Sequence, residues 1–384
     1  MSDDSLPPVA FAAALAGLDR LTPTRLLGLV RAGPWPEVWR MIAGDIPAST
    51  AVGRLWSRTP ALRDEWQACA RRRPPDQVWA ACAASGTDVV VIDSPRYPAL
   101  LAVDPLPPPV LFARGDLGAL DGRRAGIVGT RNATEGGRRL AARLGRELAE
   151  AGVRVVSGLA RGIDGCAHRG VLSAASSSGT APGPPIAVVA SGPDIPYPRE
   201  HTGLWNAVIE RGLLLSEHPP GSPPLADWFP LRNRIIAALS EVVVVVESRA
   251  SGGSLITVRE ATKRQIGVLA VPGSLLNRAA EGTNRLIADG GQAVLDTLDV
   301  LVALGLDTRR AGDRVFDARA RPDRADQHVL DAFDGDALTI DEVVARADVP
   351  LVDLALALGR LEAGGWLRAA GGWFEPMDAR SRAQ

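Results

Sequence analysis

Ala125-Gly126-Ile127-Val128-Gly129-Thr130-Arg131-Asn132-Ala133-Thr134-Glu135-Gly136-Gly137 is the stretch that decides the fold. The apolar run Ala125 to Val128 has strand character, stops at a glycine, and leads through small and polar residues into a helical pattern over Arg138 to Glu150. Strand, glycine turn and helix start, in that order, put unpaired backbone N–H groups and a positive dipole end at the carboxyl edge of a sheet, where phosphate binds. Arg131 adds a guanidinium able to grip two phosphate oxygens at once.

Further apolar runs alternate with helical patterns: Val153 to Val156, Ile186 to Ala190, Leu213 to Leu215, Val242 to Val246 and Val268 to Val271. Near-continuous apolar strands between helices predict a parallel sheet covered on both faces, so residues 87–305 are expected to form an extended Rossmann-like α/β domain. Asp88 to Ile92, the proline-rich stretch from Asp104 to Pro109 and Val110 to Ala113 form a lead-in to that sheet. The Ser/Gly/Pro-rich segment from Ser176 to Pro185 is expected to be a loop insertion.

The strand-end loops share a chemistry. Ser157-Gly158-Leu159-Ala160-Arg161-Gly162 opens a second helix, on whose first turns Cys166 and His168 are expected to pack or orient. Ser191 to His201 brings Arg199 to a third helix start, and Ser251-Gly252-Gly253-Ser254 caps another. Trp228-Phe229-Pro230-Leu231-Arg232-Asn233-Arg234 precedes an apolar helix ending at Ser240; an aromatic followed by Arg, Asn and Arg supplies a stacking face and charge-assisted donors for successive phosphates of a nucleic-acid strand. GxGxxG is absent, and the second strand ends in Ser157-Gly158 instead of an acidic residue for a ribose hydroxyl, which disfavours dinucleotide chemistry.

Bulk properties constrain the reading. The net charge of the 384 residues is −1, so any footprint for nucleic acid must be local. Lys263 is the only lysine, and an arginine in so arginine-biased a composition is weak evidence by itself. Cys69, Cys82 and Cys166 form no CxxC pair and the histidines offer no ligand spacing, so neither a metal, another cofactor nor a disulfide scaffold is expected. With Asp3 and Asp4 in place of a basic leader, and no apolar run approaching the roughly 20 residues of a membrane span, the expected address is the cytoplasm, with no membrane partner.

The flanks are expected to be small domains. Residues 1–86 are predicted to be helical, of SAM or helix-hairpin-helix type, with Trp35, Trp39, Trp56, Trp66 and Trp79 as core residues in preference to a base-stacking platform. A polar linker over 306–324 precedes residues 325–377, where helices near Gln327 to Phe333, Ile340 to Ala347 and Leu351 to Ala363 and a hairpin turning at Gly371-Gly372 outline a winged helix. Its third helix has Arg360 as the only basic residue, so it is expected to bind protein, or DNA only weakly.

The ordered set Gly129 to Gly137, Ser157 to His168, Tyr197 to His201, Phe229 to Ser240, Ser251 to Thr257, Val271 to Gly273 and Glu281 to Ile287 resembles the DprA/Smf family of DNA-processing proteins over about Tyr97 to Leu301. The resemblance implies a dimeric, non-enzymatic protein that binds single-stranded DNA, shields incoming strands and helps load the RecA recombinase in natural transformation. Carried over by motif, the DNA pocket comprises Gly129, Thr130 and Arg131; Ser157, Gly158, Ala160 and Gly162; Arg199, Phe229, Arg232, Asn233 and Arg234; and Gly253 and Ser254. The chain departs from the family pattern at Ser191-Gly192-Pro193-Asp194, where proline removes a backbone donor, and at Arg199 and His201, where Lys and Asn are common.

Two other functions remain open on the residues. A nucleotide phosphoribohydrolase with a Rossmann pocket would use glycine-rich loops with a catalytic Arg and Glu, but Gly282-Thr283 is followed by Asn284 with no Glu a few residues on. A winged-helix transcription regulator would need a more basic tail than this one.

Overall fold

A computed structural model describes residues 5–176, 181–307, 322–333 and 336–377. Residues up to Asp307 form one compact unit, and those from Thr308 a second.

The first unit begins with six helices, α1 (Pro8–Ala16), α2 (Pro23–Val30), α3 (Trp35–Ala43), α4 (Thr50–Arg58), α5 (Ala61–Arg72) and α6 (Pro75–Ala84). Proline opens three of them, where its fixed φ suits a first turn and its missing N–H is no loss. Trp39 and Trp66 are buried, Trp66 donating through Nε1 to Asp19 O at 2.9 Å, while Trp35, Trp56 and Trp79 pack partly buried on the same core. These tryptophans are core residues. That core also takes in Val110 and Phe112, so residue 86 marks a change of secondary structure inside a shared interior.

A nine-stranded sheet follows. Its strands are β1 (Asp88–Val91), β2 (Val110–Gly115), β3 (Arg124–Val128), β4 (Arg154–Ser157), β5 (Pro185–Val189), β6 (Leu213–Ser216), β7 (Val242–Val245), β8 (Gly267–Ala270) and β9 (Gln292–Ala293), in the order β1-β2-β6-β5-β4-β3-β7-β8-β9. From β6 to β9 the pairing is parallel. The lead-in differs from a purely parallel expectation: β1 pairs antiparallel with β2, and β2 antiparallel with β6. The link from β1 to β2 carries only the four-residue helix α7 (Ala99–Ala102) and a proline-rich loop, with no crossover helix to lie along a sheet face, and the chain returns antiparallel.

Strands β3 to β9 alternate with α8 (Glu135–Glu150), α9 (Ile163–Leu172), α10 (Thr202–Arg211), α11 (Trp228–Ala238), α12 (Ser254–Lys263) and α13 (Glu281–Ala288), and α14 (Thr297–Ala303) closes the unit. One sheet face, with Ile186, Val188, Val243 and Val245, packs on α11 and α12; the other, with Ile127, Val155 and Val244, packs on α8, α9 and α14. The crossovers run from β3 outward to β6 on one side and from β7 to β9 on the other. Strand order therefore reverses between β3 and β7, and such a switch point leaves a crevice beyond the strands' carboxyl ends.

The second unit contains α15 (Arg324–Asp331), β10 (Leu338–Thr339), α16 (Ile340–Ala347), α17 (Leu351–Ala363), β11 (Leu367–Ala370) and β12 (Trp373–Pro376), with sheet order β10-β12-β11. This is a winged helix, closed over a core that includes Phe333, Val343, Leu354 and Leu358. Residues 308–321 of the expected linker, and 177–180 of the expected insertion before β5, lie outside the described residues.

Candidate nucleic-acid interface

The switch-point crevice is a cleft of about 780 Å³, walled by the β3 loop, the first turns of α11 and the loop from β7 into α12. Its floor is built by close approaches that only glycine allows. A Cβ on Gly129 would stand 2.5 Å from Ile163 and 2.9 Å from Glu247 O. Gly162, at φ 75°, lets its backbone come against Thr130 O, where a Cβ would sit at 2.3 Å.

On that floor Arg131 is exposed, its guanidinium 4.9 Å from the centre of the Phe229 ring. Phe229 in turn meets Tyr197 at 5.3 Å between centroids, tilted by 53°. A cation over one ring keeps the guanidinium edge available for phosphate, while the exposed Tyr197 beside it is an aromatic group that a base can stack on. Arg249 is exposed and lines the same cleft, next to Ser251 and Gly252 in the lining. Neither Arg131 nor Arg249 is ion-paired with a described residue.

Arg232 also reaches the cleft, but from within the protein. It is 6 % exposed, and its Nη1 donates to Gly158 O at 2.9 Å and to Val188 O, tying α11 to the β4 loop and to β5. Burial lowers its pKa to about 10, opposed by the nearby carboxyl of Asp164, while burial raises Asp164 against the pull of Arg232. Arg232 stays charged at neutral pH and serves as a staple.

Gly129, Thr130, Arg131, Ala160, Phe229, Arg232, Asn233, Gly253 and Ser254 thus line one cleft. Ser157 and Gly158 lie behind it, Ser157 Oγ donating to Ile127 O at 2.6 Å and Gly158 lying under the Arg232 guanidinium; Gly162 supports the floor. Arg199 is exposed on the turn Arg199–His201 and is not part of the lining, where Tyr197 stands. Arg234 faces away, donating to Glu217 and to Leu106 O. The reason is helical register: Trp228 to Arg234 form the first turns of α11 instead of preceding it, and residues two apart on a helix point to different sides.

The α8 N-terminus holds a second departure. The backbone N–H of Thr134 donates to Glu247 Oε2 at 2.9 Å, and Thr134 Oγ1 donates to Glu247 Oε1 at 2.5 Å while accepting from Gly137 N at 3.0 Å. The phosphate position expected there is therefore taken by the chain's own carboxylate. The Ser191–Asp194 loop turns inward as well: Pro193 O accepts from Arg114 and Trp205, and Asp194 accepts from Gly221 N. The donor lost at Pro193 thus costs the cleft nothing. His201 is buried and bonded to Leu159 O at 3.0 Å, and His168 is buried against Ile186 O at 3.2 Å, both structural placements.

Arg249 and Tyr197 were not among the sequence candidates. A signal existed for Arg249, which follows Glu247-Ser248 at the end of a valine-rich strand, two residues before the Ser251-Gly252-Gly253-Ser254 turn.

The family model described as DNA recombination-mediator protein A matches residues 88–305, the whole of the sheet and its switch point. The chain belongs to this family. It is 40 % identical over 259 residues to the DNA processing protein DprA of Bacillus subtilis (strain 168), covering 67 % of this chain and 84 % of that one. Protein Smf of Escherichia coli (strain K12) is 36 % identical over 292 residues, covering 74 % and 76 %. Among solved structures, DNA processing protein A of Streptococcus pneumoniae superposes with a TM-score of 0.60 at 28 % identity, over 77 % of this chain and 98 % of that one. DNA processing protein A from Helicobacter pylori, described with a single-stranded DNA binding mode, gives a TM-score of 0.50 at 28 % identity, over 57 % and 97 %. The recombination-mediator family thus accounts for the cleft-bearing part of the chain. Among the described residues, no helix is long and apolar enough to cross a membrane.

Proposed function

We propose that the switch-point cleft binds single-stranded DNA, and that the protein shields incoming strands and helps load a RecA-type recombinase during transformation or recombination. The observation that carries the binding reading is Arg131 poised over Phe229, whose ring meets Tyr197, in a cleft that Arg249 also lines. Exposed guanidinium groups that no described residue ion-pairs, in a cleft with aromatic rings, suit a flexible strand whose bases can leave the stack, whereas a duplex keeps its bases turned inward. The single-stranded DNA binding mode described for the Helicobacter pylori relative supports the same ligand. Loading of RecA and action as a dimer in the cytoplasm are drawn from family membership, and no catalytic step is assigned to the cleft.

Electrophoretic shift with an oligothymidine and with a duplex of equal length tests the binding reading. Retardation of the single strand at protein concentrations that leave the duplex free is expected. Equal or better duplex binding contradicts it. The loading role is checked by strand exchange on DNA coated with a single-strand-binding protein: relief of inhibition is expected, and no relief counts against it.

A further inference from the structure

In a Rossmann-type fold the helix after the strand at the switch point offers its N-terminal N–H groups to a nucleotide phosphate. Here that helix is α8, and its N-terminus holds the Glu247 side chain, which comes from the end of the neighbouring strand β7. The fit is close on every side. A Cβ on Gly137 would lie 2.4 Å from the Glu247 carboxyl carbon, so the first turn of α8 is glycine where the carboxylate enters. Thr134 meets both oxygens, and Glu247 is only 8 % exposed. The Glu247 backbone carbonyl separately accepts from Thr130 N at 2.8 Å, so the β3 loop is anchored whatever side chain stands at 247.

We infer that Glu247 is a specificity-determining residue: it plugs the mononucleotide-phosphate hole and denies the cleft to free nucleotides. The inference rests on the single-strand reading of the cleft. A terminal phosphate carries close to two negative charges at neutral pH and gains most from a helix N-terminus, while each phosphodiester of a strand carries one. Filling the hole with a carboxylate removes the donors a monophosphate needs and sets a like charge against it. A strand gathers its affinity from several phosphates along Arg131 and Arg249 and has no need of the hole. Free nucleotides would otherwise compete with DNA for the same cleft.

The test measures binding of thymidine monophosphate and of oligothymidine by the full chain as wild type, Glu247→Ala and Glu247→Gln. In Glu247→Ala the affinity for the monophosphate relative to the oligonucleotide is expected to rise by about tenfold or more, and inorganic phosphate should compete for the gained binding. Glu247→Gln keeps the shape and loses the charge, so a smaller rise of about threefold is expected. A purely structural cap would show a lowered melting temperature with no gain for the monophosphate. An unchanged ratio in a Glu247→Ala protein that melts cooperatively overturns the inference, and if that variant does not fold, an unchanged ratio in Glu247→Gln overturns it equally. Wild-type protein that fails to bind oligothymidine would sink the single-strand reading instead, while monophosphate binding gained in Glu247→Ala would still show the plug.

Discussion

Arg131 and Arg232 border the same cleft, but only Arg131 is free to meet a phosphate. Arg131→Ala should weaken oligothymidine binding by about tenfold, equivalent to about 1.4 kcal/mol, with the melting temperature unchanged. Arg232→Ala removes the staple to Gly158 and Val188 and leaves Asp164 without its buried counter-charge, so urea denaturation should show a loss of about 3–5 kcal/mol. His168 gives the acid sensitivity a sign. Burial lowers its pKa from 6.5 to about 4, so below pH 6.5 the unfolded chain takes up a proton that the folded chain refuses. The stability this represents, on the order of 3 kcal/mol, is fully present above pH 6.5 and is lost as the pH falls toward 4. Asp164 and Glu217, both raised by burial, act in the opposite sense as the pH falls, so comparison with a variant isolates the histidine. Thermal melts of His168→Gln at pH 7.5 and 4.5 should show a smaller drop than wild type; an equal drop would remove His168 from the account.

Helices α8 and α9 pack through glycine: a Cβ on Gly170 would lie 1.9 Å from Ala142 O, and one on Gly145 2.2 Å from Ala167 O. Gly170→Ala must push the two helices apart, and a loss of about 1–3 kcal/mol in urea denaturation is expected. At this scale much of the fold was legible. Strands buried on both faces must be continuously apolar, so β3 to β8 stood out in the sequence within a residue or so of their observed ends. The two-residue β9 has no such run, and the antiparallel pairing of β2 leaves no mark on its apolar pattern. The site was legible in its loops and less so in its side chains. Asn-Arg spacing could not reveal that Arg234 turns toward Glu217, because that follows from where α11 begins. Nor could any local pattern show Glu247 closing a helix N-terminus 113 residues away in sequence.

For the whole molecule, a net charge of −1 means that no general field gathers DNA, so the proposed binding rests on local charge, that of the cleft arginines. The winged helix is expected to add little to them. Arg360, the basic residue of α17, is held by both oxygens of Asp326 at 2.5–3.2 Å, and the helix exposes Leu351, Val352 and Leu356 instead. A duplex shift assay on the isolated tail is expected to show no complex at protein concentrations at which the full chain retards oligothymidine. The central claim, that the cleft arginines hold the phosphates of a single strand, is tested most directly by the dependence of oligothymidine affinity on salt concentration. Each phosphate contact should contribute about −0.7 to the logarithmic slope, so Arg131→Ala and Arg249→Ala should each make the slope shallower by about that amount. A slope near zero in the wild type, or one that neither substitution changes, would contradict the account.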